Sequence, residues 1–531
     1  MLSSNGDDKR FYITTSIPYV NARPHIGHAL EFVQTDAFAR FHRLMGDDTR
    51  FLTGTDENSL TNVLAAEREG IPTAELVERN AATFVGLTNL LDISNDDFIR
   101  TAVEERHVAG ARKLWLACAA SGDIYKKHYS GLYCVRCEQF YTEDELVDGL
   151  CPEHHIPLEL VEEENYFFRL SRYGDQILER IDSGALRVIP ETRKNEVRSF
   201  VARGLEDFSL SRSRTRARGW GVEVPGDPDQ VMYVWFDALA NYITALDYGL
   251  DQKLYAHYWI NNPQRVHVIG KGILRFHAVY WPGMLLSAGE PLPSTVFVHG
   301  YLTIDGEKMS KSLGNVVDPA DLVGRYGAEG VRYWMLREVP PTGDADYTDD
   351  KLERRYNADL ANDLGNLLNR TVSMIQRYRG GQIPATTDPD AGEPLGITAI
   401  AEPIQTAMAI DYDPQQALAI IWDCIVRANR YVETTSPWVL AKAERGGDQE
   451  SARQLDTALY TLAETLRIVA VALQPFLPET SNRIAQQLGV AIGEQQWLQE
   501  LTWGGLRPGT MVSTPEPIFP RLETPVSDRS L

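Results

Sequence analysis

A chain of 531 residues with 74 acidic against 52 basic side chains, formal charge −22, is no general nucleic-acid coat protein; any RNA it binds must sit on a local basic face. Its 43 % hydrophobic and 24 % charged residues fit a soluble globular protein with room for three or four domains, and no apolar run approaches the roughly 18 residues that span a bilayer. Five cysteines in so long a chain argue against a disulfide framework and for a reducing, cytoplasmic setting, and MLSSNGDDKRFYITT lacks the apolar core of a secretory signal.

In chain order, FYITTSIPYV reads as a β-branched, aromatic strand. A helix follows, because Leu30, Val33, Ala37, Phe41 and Leu44 recur at steps of three and four, with Pro24 near its first turn and Gly46 near its stop. His25 and His28 fall on one face at its N-terminus, where the helix dipole favours an anion, most often phosphate. On these residues alone, a solvated turn with incidental histidines stands equally open.

The first 125 residues alternate strand and helix textures, as α/β chains do. From Lys126 the texture turns to short strands, cysteines and acidic turns. Within it, Cys134, Cys137, Cys151 and His154 form two short-spaced pairs suited to a tetrahedral structural zinc site; His155 competes with His154, which the spacing favours. Cys118 and Cys424 sit in apolar helical settings and read as core. RSRTRAR, Arg212 to Arg218, is the candidate basic face. Near Val231 the strand-then-helix texture resumes in VMYVWFDALANYITAL and repeats in RVHVIGKGILRFHAVYWPGMLL, so one α/β domain is interrupted by a long insertion. DGEKMSKSLGN then sets Lys308 and Lys311 in a small-residue segment able to close over a phosphate chain. From Asp359 onward the chain is mostly helical, with a stripe of Leu360, Leu364, Leu367 and Leu368, a Pro-rich loop from Pro384 to Gly396, and an extended or frayed end.

HIGH followed by KMSKS across a long insertion resembles the class I aminoacyl-tRNA synthetases. TTSIPYVNARPHIGHAL, FLTGTDEN, YCVRC, NYFFRLSRY, YVWFDALANY, RFHAVYWPGML, FVHGYLTIDGEKMSKSLGN and NDLGNLLNRT resemble, among these, the methionyl-tRNA synthetase family. The resemblance implies an α/β fold: a Rossmann-like parallel-sheet catalytic domain in two halves (1–125 and 230–310), a zinc-bearing insertion (126–229), a KMSKS and stem-contact region (311–358) and an all-α anticodon-binding bundle (359–531). It implies ligation of methionine to tRNA(Met) through a methionyl-adenylate, with Mg²⁺ accompanying ATP and one structural zinc. His25, His28, Lys308 and Lys311 would serve the phosphates, Gly27 the approach of the nucleotide and Glu223 its ribose. Asp56 would meet the substrate ammonium. Ile17, Tyr19, Trp235, Ala238, Leu239, Tyr242, Ile273 and His277 would wall the methionine pocket. Asn366, Arg370 and Trp438 would meet the anticodon; single-stranded RNA is read by stacking on aromatics and by hydrogen bonds to base edges. No further RNA-binding or dimerisation domain is evident after the bundle, which favours a monomer.

Two places depart from the family pattern. Gly272, in GKGIL, stands where an acidic residue is expected, and Asn58 and Thr61, in DENSLTN, stand where many relatives carry histidine and lysine. The competing readings are an amino-acid adenylating enzyme that works without tRNA and a non-catalytic RNA-binding relative. The anticodon-position residues oppose the first, and the intact histidines and lysines oppose the second.

Overall fold

The computed structural model describes residues 9–135, 138–152, 155–309, 315–386, 388–493 and 497–522. The chain divides into two compact units, Met1–Thr35 with Asp48–Tyr301, and Asp36–Asp47 with Leu302–Leu531.

The first unit is built on a six-stranded parallel sheet. Its order is Asp97–Arg100, Asp48–Thr55, Arg10–Thr15, Arg265–Gly270, Thr295–His299 and Arg187–Ile189. Five of the six residues of Arg10–Thr15 are buried, as expected of a parallel strand covered on both faces. Strand order reverses between Arg10–Thr15 and Arg265–Gly270, and in open parallel sheets a crevice opens at such a point beyond the carboxyl ends of the strands. Gly54 has a structural reason: a Cβ there would lie 2.2 Å from the Ile99 carbonyl oxygen of the neighbouring strand. Gly110 plays the same part on helix Glu105–Ala120, where a Cβ would come within 2.4 Å of Thr244 on helix Val234–Thr244. Trp115, Phe236, Tyr242, Trp259 and Trp281 belong to the core that these elements bury.

The region read as an insertion contains an antiparallel sheet ordered Gln139–Tyr141, Ile124–Cys134, Glu159–Phe168 and Phe208–Ser209. It also supplies the edge strand Arg187–Ile189 of the parallel sheet. The expected basic face at RSRTRAR is corrected here, because each of its arginines faces a carboxylate of this chain. Arg212 meets Glu138 at 3.0 Å, Arg214 meets Glu223 at 2.5 Å, Arg216 meets Glu159 at 3.6 Å, and Arg218 meets Glu67 at 3.6 Å. A run so neutralised offers little field to a phosphate backbone.

In the second unit, strand Leu302–Ile304 pairs antiparallel with Glu307–Lys308 and parallel with Ala345–Tyr347. Helices Pro319–Arg337, Asn366–Arg379, Pro414–Thr435, Pro437–Arg445, Gln449–Leu473 and Pro478–Leu488 follow. Arg332 and Asp36 form an ion pair at 2.7 Å with both side chains fully buried. The last described segment is extended, as expected, but it is not frayed. Glu464 accepts the backbone N–H groups of Gly504, Gly505 and Leu506 while Arg467 holds both its carboxylate oxygens at 2.7 Å. Arg483 donates to the Ile518 carbonyl, and Leu522 is bound to Asn357 by a reciprocal pair of hydrogen bonds. Among the described residues no helix is long and apolar enough to cross a membrane.

Candidate active site

The end of strand Arg10–Thr15 and the start of helix Ile26–Leu44 bring the two histidines together. Their rings stack at 3.9 Å between centroids and 29° between planes. The Gly27 backbone N–H donates to His25 Nδ1 at 3.0 Å, and the His25 backbone N–H donates to His28 Nδ1 at 3.1 Å. A backbone N–H can only donate, so both Nδ1 atoms accept and the ring proton of each sits on Nε2. Desolvation, then the neighbouring His25 and His299, hold His28 well below the usual histidine range. It is a neutral donor. Glu31, one turn further along the helix, accepts the backbone N–H and hydroxyl of Ser16 at 2.7 and 2.6 Å and faces His299 Nε2 at 2.8 Å. These contacts tie helix Ile26–Leu44 to the carboxyl ends of two sheet strands.

A second group of the expected residues is acidic and aromatic. Tyr19 and Asp56 pair as an isolated bridge that extends the parallel sheet, and the rings of Tyr19 and Trp235 lie 6.4 Å apart. Asp56 is 1 % exposed; its carboxylate accepts the Asn58 backbone N–H at 3.3 Å and meets no cation among the described residues. Burial, then Asp237 and Glu138, lift its carboxyl well above the usual carboxylate range. The Tyr19 hydroxyl is buried without a hydrogen-bond partner among the described residues. A buried acid without a cationic partner among the described residues and an unpartnered hydroxyl are groups that a small polar cation can satisfy.

The apolar members of this group come from helix Val234–Thr244 and from the turns after strand Arg265–Gly270. Trp235 stacks on Phe276 at 3.8 Å, Ala238, Leu239 and Tyr242 are buried, and Ile17 and Ile273 pack partly buried against the same core. The His277 ring donates from Nδ1 to the Ile273 carbonyl at 2.9 Å, and burial pushes its pKa down to about 4. Its Nε2 therefore accepts the Tyr242 O–H at 2.6 Å, and the pair is neutral. Tyr19, Asp56, Trp235, His277 and Tyr242 thus make one contiguous wall, part polar and part aromatic.

Other expected residues are placed as follows. Glu223 begins strand Glu223–Val224 and pairs with Arg214. Gly272 is exposed in the turn at the carboxyl end of the central strand, with no carboxylate to offer there. Asn58 donates from its amide to Asp237 at 2.7 Å in a part-buried hydrogen bond, and Thr61 donates its backbone N–H to Glu138 at 3.0 Å in a buried one, so both departures from the family pattern are engaged. The backbone of Lys308 pairs with Thr303, while Lys311 lies outside the described residues. In the second unit Arg370 lies 5.9 Å over the Trp438 ring and pairs with Glu433 at 2.7 Å, and Asn366 is exposed one turn before it. Trp438 is 40 % exposed. Cys134 and Cys151 are both fully buried and share a small cluster with Tyr141, whereas Cys137 and His154 lie outside the described residues. The described half of the set fits a structural zinc: Cys134 at the end of its strand and Cys151 are buried in one small cluster. Cys118 and Cys424 are buried in helices, as expected of core cysteines.

Sequence reasoning overlooked Glu31, His107, Asp237, Glu138 and His299. Asp237 and His299 stood within the quoted motifs, and for Glu31 and Asp237 a carboxylate on the buried stripe of a helix was the available signal.

The family profile described as tRNA synthetases class I (M) matches residues 11–157 and 155–372, and that described as the anticodon binding domain of methionyl tRNA ligase matches residues 402–528. The chain belongs to the methionyl-tRNA synthetase family. It is 45 % identical to a methionine–tRNA ligase of Mycobacterium tuberculosis over 97 % of this chain and 99 % of that one. It is 45 % identical to that of Brucella suis, over 97 % of this chain and 98 % of the other. Among solved structures, Mycobacterium tuberculosis methionyl-tRNA synthetase in complex with methionyl-adenylate superposes with a TM-score of 0.91 at 44 % identity, covering 97 % of this chain and all of that one. The apo form of that enzyme superposes at 0.85 and 41 % identity, over 98 % of this chain and 99 % of the other. Within this family match, Asn366 and Arg370 fall in the synthetase profile and Trp438 in the anticodon profile.

Proposed function

We propose that the chain is a methionine–tRNA ligase, which activates L-methionine with ATP and transfers it to tRNA(Met). The observation that carries this reading is the buried, cation-free Asp56 at the polar end of an aromatic wall, in a chain that aligns with methionine–tRNA ligases over nearly its whole length. The substrate ammonium pairs with Asp56, and the Tyr19 hydroxyl lies beside it. The thioether lies along Trp235, Ala238, Leu239 and the neutral Tyr242–His277 pair, with Ile17 and Ile273 completing the wall; a polarizable side chain suits aromatic contacts. Neutrality of that pair matters, because a charged imidazole at the apolar end would select against an apolar side chain.

In the first step a carboxylate oxygen of methionine attacks the α-phosphorus of ATP in line; a P–O bond forms as the bond to the pyrophosphate oxygen breaks. Positioning and charge stabilisation do the work in such a transfer. His25 and His28 donate from Nε2 to the phosphates, Gly27 leaves room beside the backbone, and Lys308 and Lys311 stabilise the departing pyrophosphate. Glu223 serves the ribose. When bound, Mg²⁺ supplies further charge neutralisation on the phosphates. In the second step a terminal ribose hydroxyl of the tRNA attacks the acyl carbon and AMP leaves. Asn366, Arg370 and Trp438 read the anticodon, and 311–358 bears on the stem. Cys134, Cys137, Cys151 and His154 would hold a structural zinc, which folds the inserted turn. The expected state is a cytoplasmic monomer.

The test is amino-acid-dependent ATP–pyrophosphate exchange with each of the twenty amino acids, followed by transfer to tRNA. Exchange and transfer with methionine are expected. Exchange with another amino acid overturns the specificity, and exchange without transfer favours tRNA-independent adenylation.

A further inference from the structure

One buried residue outside the expected set touches three elements of the site. Glu138 is fully buried, immediately after Cys137, and its backbone is held at φ 50°. Its Oε1 accepts the Ser59 hydroxyl at 2.6 Å and the Thr61 backbone N–H at 3.0 Å. Its Oε2 accepts Arg212 Nη2 at 3.0 Å, and that same nitrogen donates to the Tyr133 hydroxyl at 3.0 Å. Its backbone carbonyl accepts the Tyr233 hydroxyl. Ser59 is the N-cap of helix Leu60–Glu69 and lies three residues after Asp56. Tyr233 is the N-cap residue of helix Val234–Thr244, which carries Trp235, Ala238, Leu239 and Tyr242. A single carboxylate thus grips the helix start that follows Asp56, while the same residue's carbonyl grips the start of the pocket-wall helix.

The geometry points to Glu138 as a positioning residue for the amino-acid end of the site, which sets the Asp56 loop and the pocket-wall helix against each other. A carboxylate suits the post for physical reasons. It stands at a helix N-terminus, where negative charge is favoured, and its two oxygens take three donors while keeping Arg212 neutralised. Glutamine cannot replace it, since one of its ends is an NH₂ that would face either Arg212 or the Ser59–Thr61 pair. Glu138 touches no atom of Asp56 itself, so its effect passes through Ser59, Asn58 and the short chain between them. The inference rests on the ligase reading above.

The test is pyrophosphate exchange by the full chain and by Glu138→Gln and Ser59→Ala, with the KM for methionine and the KM for ATP measured separately, together with bound zinc and melting temperature. Glu138→Gln is expected to raise the KM for methionine about tenfold or more with the KM for ATP within about twofold and zinc content unchanged. Ser59→Ala, which removes one of the three donors, should give a smaller shift of the same kind. Glu138 is only structural if both variants melt earlier with unchanged kinetic constants, or if both KM values move together. Should Glu138→Gln not fold, Ser59→Ala decides: an unchanged methionine KM overturns the proposal. Absence of methionine-dependent exchange in the unsubstituted protein refutes the ligase reading, and this inference with it.

Discussion

Asp56→Asn should stabilise the protein and remove its affinity for methionine. Asp56 is buried beside Asp237 and Glu138 and faces no cation among the described residues, and burial is the first cause of its raised pKa. A carboxyl raised in the folded state binds its proton more tightly there than in the unfolded chain. The stability it lends is therefore full below the unfolded value, near pH 4, and is lost as pH rises toward the folded value. Asparagine has nearly the same shape and nothing to ionise. The variant should thus melt above the parent near pH 7, and the difference should shrink as pH falls toward about 4. Binding runs the other way. An ammonium against Asp56 favours the carboxylate, so methionine expels a proton on binding, and its affinity falls about tenfold for each pH unit below the free-protein value. Removing one partner of a buried ion pair costs about 3–5 kcal/mol, or roughly two to three and a half orders of magnitude in affinity. Titration calorimetry in buffers of different protonation heat measures both the affinity and the released proton. Binding by Asp56→Asn within about fivefold of the parent, or a binding heat independent of buffer, would refute the assignment of the ammonium to Asp56.

Trp438→Ala should weaken tRNA binding about 5- to 150-fold, the loss of about 1–3 kcal/mol of base stacking, while leaving methionine-dependent exchange intact; a parallel loss of exchange would show a wider structural role. His28 is held below the usual histidine range by desolvation and its neighbours, so it costs the folded state stability as pH falls below about 6.5, where the unfolded chain takes up a proton that the folded one refuses. His28→Asn should flatten that acid slope in melting temperature, and an unchanged slope would contradict the neutral-donor assignment. Glu464→Gln breaks a buried pair and the capture of three backbone amides. Hydrogen exchange at Gly504, Gly505 and Leu506 should accelerate by about two orders of magnitude or more, and unchanged protection would mean that the segment is held elsewhere.

What the sequence revealed follows from the range of the forces involved. Helix Ile26–Leu44 was legible because burial imposes its own period, and Leu30, Val33, Ala37, Phe41 and Leu44 are all buried. Strand Arg187–Ile189 was not, because three residues carry no period and only Thr295–Phe297 across the sheet makes them a strand. RSRTRAR looked like a free face because charge is visible in sequence and its neutralising partners are not; Glu67 is about 150 residues away along the chain from Arg218. The end of the chain, read as extended or frayed, is extended as far as Leu522, beyond which it lies outside the described residues; its hold there is on backbone carbonyls and N–H groups, which every sequence possesses. Glu138 was hidden for the same reason, its donors Ser59 and Thr61 lying 79 and 77 residues away in the chain.

Four carboxylates sit buried near the amino-acid end of the site, and the way each is satisfied separates scaffold from receptor. Glu57 takes Thr55, Arg100 and the Ala102 N–H. Asp237 takes the Asn58 amide at one oxygen and His107 at the other. Glu138 takes Ser59, Thr61 and Arg212. Each of these three has both oxygens engaged, as a buried acid with a structural task must. Asp56 alone has one long backbone hydrogen bond and an unengaged oxygen, beside the unpartnered hydroxyl of Tyr19. A fold that supplies donors to three neighbouring acids and withholds them from the fourth leaves that one able to take a donor from a ligand, and the ammonium of the proposed substrate is such a donor. On the proposed function, the stability forgone at Asp56 would supply differential binding free energy to an incoming ammonium.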